Sequence, residues 1–196
     1  LDKGKYVHVK GKGENRTDLK IALAELTAPS RQTLFENCVA DVNIPVGEVF
    51  TSPKLSGTEG ILHVTQVYLS GLLYKDLEIH LKDGMVTEYS CGNFESREAN
   101  LEYIRENLLF QHDTLPLGEF AVGTNTAAYA MARKYGIAAK LPILIAEKMG
   151  PHFALGDTCF SWQEDVPVFN IENGKEIIAR DNEISLLRRE DFSKAY

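Results

Sequence analysis

Apolar and polar positions alternate through much of the first ninety residues, which predicts strands before anything else. Lys5 to Val9 and Thr17 to Leu26 are short apolar stretches around a polar turn with Gly11, Gly13 and Asn15, a strand pair by pattern. From Glu36 to Pro53, Asn43, Pro45, Gly47 and Pro53 surround the apolar pair Val49-Phe50, a loop, short strand and turn. Gly60 to Leu69 alternates along its length. Leu77 to Leu81 and Met85 to Cys91 follow as further strands, with Lys82-Asp83-Gly84 marking a hairpin between them.

The period then changes to that of a helix. Ser96 to Leu109 has Ser96 as N-cap, Glu98 and Glu102 near its start, and Leu101, Ile104 and Leu108 on one face. Thr126 to Tyr135 is a second helical pattern that stops at Gly136, suited to a left-handed cap. Pro142 opens a third, to Met149, ended by Gly150-Pro151. Strands return at Val166 to Ile171 and Lys175 to Arg180, where Asn173-Gly174 predicts a type I′ turn, and Ile184 to Leu187 adds a further candidate strand. No regular βαβ alternation or internal repeat is present. The expectation is a single α+β domain over 1–196, with a mixed, largely antiparallel sheet and about three helices.

Composition narrows the function. The net charge of -7 and pI near 5.3 make the surface repel phosphate backbones and anionic headgroups, which argues against nucleic acid and membrane as partners. A small neutral or cationic substrate fits better. Cys38, Cys91 and Cys159 form an odd set without CxxC spacing, so neither a disulfide framework nor a thiolate zinc site is expected, and a reducing cytoplasm is the simplest compartment. No apolar run is long enough to span a membrane, and a secretory leader is not expected.

Signatures of common chemistries are missing: no HExxH, GxSxG or P-loop occurs, and the GKGE segment at 11–14 lacks the ending and spacing of a phosphate cradle. What stands out is acids in awkward places. Glu48 lies between Gly47 and Val49-Phe50, and Glu119 between Leu117-Gly118 and Phe120-Ala121-Val122. Each either points outward from an edge strand or is buried with a partner, because a buried carboxylate is costly unless it is paired, hydrogen-bonded or metal-bound. Glu147 and His152 lie five residues apart around Gly150-Pro151; if the first ends a helix and the second begins a strand, both can face one pocket. Three carboxylates and an imidazole suit zinc, cobalt or manganese. Equally, His152 is open to the plainer reading of a hydrogen-bonded core residue. His8, His63, His80 and His112 lack ligand spacing and read as surface or sheet residues, although His112-Asp113 could support Glu119 from behind. Trp162 reads as a packing or pocket-wall residue, and Cys159 lacks the cationic neighbours of a catalytic thiolate.

In order along the chain, Ile44-Pro45-Val46-Gly47-Glu48-Val49-Phe50-Thr51-Ser52-Pro53, Leu117-Gly118-Glu119 and Glu147-Lys148-Met149-Gly150-Pro151-His152-Phe153-Ala154-Leu155-Gly156 resemble the metal-binding blocks of the thermophilic-aminopeptidase family. That family includes aminopeptidase T and aminopeptidase S, and the resemblance is nearest to its bacterial branch labelled leucyl aminopeptidase. It implies a cytoplasmic hydrolase that releases N-terminal amino acids from peptides, with two divalent metal ions and a homodimeric parent enzyme. Glu48 then matches the first glutamate ligand, Glu119 the bridging glutamate, and Glu147 and His152 the glutamate and histidine of the third block. The resemblance assigns no general acid or base.

Two departures qualify it. The family adds a His-x-Asp pair, absent after His152, and its tyrosine seven residues beyond the histidine is replaced by Cys159. The family's amino-terminal domain is likewise expected to lie outside this stretch. The expectation is a fragment that binds metal incompletely and is inactive by itself. The alternative is a non-catalytic ligand- or protein-binding module built on the same fold.

Overall fold

The computed structural model describes residues 1–38, 46–158 and 167–184. Strands β1 (Tyr6–Lys10) and β2 (Asp18–Ala22) pair antiparallel, as their alternation predicts, with Leu19 and Ile21 fully buried and Asp18 and Lys20 exposed. Burying a side chain of that size contributes roughly 1.5–3 kcal/mol. Two short strands, β3 (Gln32–Thr33) and β4 (Glu36–Cys38), precede β5 (Glu48–Thr51).

The Gly60 to Leu69 alternation is the later part of the long strand β6 (Lys54–Leu69), which turns back at Ser70-Gly71 into β7 (Leu72–Lys82). Ser70 and Gly71 both have positive φ, 51° and 80°, the requirement of a type I′ turn. Asp83 and Gly84 repeat this geometry at 47° and 70° before β8 (Met85–Ser90), so the predicted second hairpin is present. These strands form a five-stranded sheet in the order β1-β2-β6-β7-β8.

Helix α1 (Arg97–Asn107) begins at Ser96, whose hydroxyl accepts from Ala99 N, and buries Ile104 and Asn100. Asn100 fastens the approach to the helix: its Oδ1 accepts from Asn93 N at 3.0 Å and Phe94 N at 2.9 Å. The chain then runs beside the five-stranded sheet, Val86 N donating to Leu115 O and Leu117 N to Gly84 O, into β9 (Leu117–Gly123). Helix α2 (Thr126–Tyr135) is capped by Asn125 and ends at left-handed Gly136.

The third predicted helix is split. Only Ile143–Ala146 is α-helical (α3), and Glu147–Met149 tightens to a 3-10 turn, with Pro142 preceding the helix as its cap. The α-helix cannot pass through this point because Pro151 has no N–H for the Glu147 carbonyl, while Lys148 O and Gly150 O accept from Asn125 N and Gly123 N instead. Strand β10 (Pro151–Leu155) follows and completes a second antiparallel sheet, β10-β9-β5-β4.

The tail differs from expectation. Asn170 N donates to Lys175 O, but the intervening turn has only Gly174 at positive φ, so it is not type I′. Asn170 Oδ1 and Asn173 Oδ1 accept from Glu172 N and Lys175 N, local bonds that select a longer turn. Strand β11 (Glu176–Ile177) pairs with β3 in parallel, which makes the fold mixed. Ile184 belongs to a helical turn with Glu183 and not to a strand; the rest of that candidate, the start of the Val166 strand, Cys159 and Trp162 lie outside the described residues. Leu19, Tyr74, Leu77, Ile79, Ile104, Leu117 and Phe120 share a core that joins the two larger sheets and α1 in one α+β domain. No helix among the described residues is long and apolar enough to cross a membrane.

Candidate metal centre

Glu48 opens β5, Glu119 lies within β9, Glu147 starts the 3-10 turn and His152 is the second residue of β10. Strand pairing puts them on a common side. Glu48 is opposite Gly123 and His152 opposite Ala121, while Glu119, Ala121 and Gly123 are alternate residues of β9 and so project from one face. Both acid-bearing strands are internal to their sheet, which rules out the reading of Glu48 and Glu119 as outward-pointing edge residues.

Side-chain size along β9 makes room for the site. A Cβ on Gly123 would lie 2.2 Å from Lys148 C and 2.4 Å from Glu147 O, so only glycine lets the 3-10 turn settle on the sheet. Asn125 N to Lys148 O at 2.9 Å and Gly123 N to Gly150 O at 2.8 Å hold it there.

The four predicted residues then converge through a fifth. His152 Nε2 is 3.0 Å from Glu48 Oε2 and 3.4 Å from Glu119 Oε1. Lys148 Nζ donates to Glu147 Oε1 at 2.8 Å and to Glu48 Oε1. The Lys148 side chain is 0% exposed and that of Glu48 7%. Sequence reasoning passes over Lys148, because a lysine beside a glutamate at a helix end ordinarily reads as solvated surface. Its backbone is seated against Gly123 and its side chain is buried between Glu48 and Glu147.

Electrostatics follow from this crowding. Burial pushes the Glu48 carboxyl up, but the hydrogen bonds and charges of His152 and Lys148 outweigh it and hold the group at about 2. Burial likewise pulls the His152 imidazole down, and Glu119 and Glu48 overcome it, raising it to about 9. For Lys148 burial again opposes the charge, and Glu147 and Glu48 restore it, with the pKa raised overall. Cys38, paired with Glu48 across β4 and β5, is pushed up to about 11 by burial and by its hydrogen bond to Glu48.

This oxygen and nitrogen donor set suits zinc, cobalt or manganese. Glu48 Oε2 is buried and faces His152 Nε2 at 3.0 Å, two donor atoms that can turn to a shared cation. As the side chains stand, no group of three or more His, Cys, Asp or Glu among the described residues is spaced to hold an ion, and Lys148 Nζ lies between the carboxylates of Glu48 and Glu147. His63 is a buried sheet residue instead, its Nδ1 accepting from Arg16 N and its Nε2 3.3 Å from Asp76 Oδ1. His112 and Asp113 are exposed in the turn after α1.

A family model for thermophilic metalloproteases (M29) matches residues 1–175, a span that contains Glu48, Glu119, Glu147 and His152. Among solved structures the chain is similar to wild-type AmpT from Thermus thermophilus, with a TM-score of 0.51 and 23% identity over 79% of this chain and 36% of that one. This likeness is one of fold, and the chain spans little more than a third of the AmpT chain. No curated protein matches the chain. On the family match, which covers most of its length, the chain belongs to the thermophilic metalloprotease family M29.

Proposed function

We propose that the chain supplies part of the metal centre of an aminopeptidase that releases N-terminal amino acids from peptides, with Glu48, Glu119, Glu147 and His152 as ligands to two divalent ions. The observation that carries this reading is the convergence of these four residues, from separate elements, on one buried ionic cluster. Bound there, zinc, cobalt or manganese would supply Lewis acidity, polarising the scissile carbonyl and acidifying a water. Glu119, on the strand between those of Glu48 and His152, would be the shared ligand, with Glu48 and Glu147 as further carboxylate ligands. His152 offers Nε2 towards the cluster.

The family resemblance adds a His-x-Asp pair that does not occur after His152, so these four residues are read as an incomplete set, inactive by itself. The same resemblance supports a cytoplasmic homodimer for the parent enzyme.

Cobalt or zinc titration of the chain, followed by calorimetry, tests the reading. Glu119→Gln and His152→Ala should each weaken binding at least about tenfold, about 1.4 kcal/mol. Binding that is indifferent to both substitutions would overturn the ligand assignment and favour a non-catalytic module. In a longer parent carrying the missing pair, metal-dependent release from aminoacyl-p-nitroanilides should be abolished by Glu119→Gln.

A further inference from the structure

We propose that Lys148 is a built-in counter-cation of the metal-free centre: its ammonium holds the position between Glu48 and Glu147 that a divalent ion takes, and it must leave for the ion to enter. The inference rests on the metal-centre reading above and assigns a role to a residue which that reading leaves out.

The side chain is fully buried, and an ammonium taken from water is costly unless paired. Both of its pairing partners are candidate ligands, Glu147 Oε1 at 2.8 Å and Glu48 Oε1. An ion and an ammonium cannot share the same lone pairs of Glu48 Oε1, and as like charges they repel at such range. The backbone of Lys148 is fixed by Asn125 N and by the close approach of Gly123, so the exchange falls to the flexible four-carbon side chain alone. The ammonium also keeps the carboxylates of Glu48 and Glu147 from facing one another unneutralised, which lets the centre stay assembled before any ion arrives. Ion binding is thereby an exchange of cations, and its apparent affinity is lowered by the fraction of molecules in which Lys148 holds the position.

The test compares cobalt and zinc binding, by calorimetry and by the visible spectrum of cobalt, in the unaltered chain and in Lys148→Met, which keeps similar length and removes the charge. Lys148→Met should bind at least about tenfold tighter, and metal should raise its melting temperature by more than that of the unaltered chain. Equal or weaker binding in Lys148→Met overturns the proposal and leaves the metal-centre reading intact. No binding to either protein overturns that reading as well. Should Lys148→Met fail to fold, reductive methylation of the unaltered chain, mapped by mass spectrometry, decides the matter. Lys148 should be protected without metal and modified once cobalt or zinc is bound; protection in both states overturns the exchange.

Discussion

His152 Nε2 lies 3.0 Å from Glu48 Oε2 although their strands, β10 and β5, never pair with each other. They meet across β9, over Ala121 and Gly123, the two smallest side chains of that strand's site face. A larger residue at either position would separate them.

Gly123→Ala puts this to the test. The new methyl meets backbone atoms of Glu147 and Lys148, which cannot yield as a side-chain tip would. Overpacking of this kind costs about 1–3 kcal/mol. Urea denaturation should show that loss, together with loss of cobalt binding. Gly150→Ala, where an added Cβ meets nothing within 4 Å, should cost clearly less; equal losses would contradict the steric account.

Asn100→Ala should destabilise the chain by about 1–2 kcal/mol, since it removes the shared acceptor of two part-buried hydrogen bonds, each worth roughly 0.5–1.5 kcal/mol. The two donors are Asn93 N and Phe94 N. Asn100→Asp keeps the acceptor, and in acid its protonated carboxyl can donate to Phe94 O as Nδ2 does, so below the carboxyl pKa its loss should be smaller than that of Asn100→Ala. Chemical denaturation of the pair checks the order.

Glu78 gives a pH signature on the five-stranded sheet. The hydrogen bonds of His80 and Arg16 hold its carboxyl below the ordinary 4.5. A depressed carboxyl pKa stabilises the fold above the ordinary value, and the contribution is lost as pH falls through the lowered one. Glu78→Gln should therefore lower stability at pH 7 by no more than about 1 kcal/mol, the pair being partly solvated. The difference from the unaltered chain should shrink as the pH falls below 4.5. A difference that grows in acid would refute it.

Cys38 and Cys91 should resist iodoacetamide in the folded chain at pH 8 and react after unfolding in urea. Burial raises both thiols, Cys38 to about 11, so little thiolate forms. Peptide mapping that finds Cys38 alkylated in the native state would argue against its closed position beside Glu48.

The sequence disclosed the pieces that depend on local physics. Ser96 and Gly136 bound their helices because caps act over a few residues, and Asp83-Gly84 sets its hairpin through its own backbone. Glu48 and Glu119 stood out as single acids in apolar stretches, and burial on internal strands is the reason. Lys148 did not stand out, since its interior place depends on a glycine twenty-five positions earlier in the chain, brought against it only by tertiary packing. The turn before Lys175 is longer than Asn173-Gly174 predicts because the side-chain bonds of Asn170 and Asn173, invisible in the dipeptide, set its length.

The order β10-β9-β5-β4 also governs how the chain reaches its folded state. Joining β5 to β9 closes a loop over residues 52–116, whereas β6, β7 and β8 are neighbours through two tight turns and meet early. Once that meander and α1 have formed, the open span is already folded up and the entropy of bringing β5 to β9 is much reduced. Substitutions at Ser70-Gly71, at the far turn of that meander, should thus delay the appearance of metal binding during refolding more than they weaken it at equilibrium.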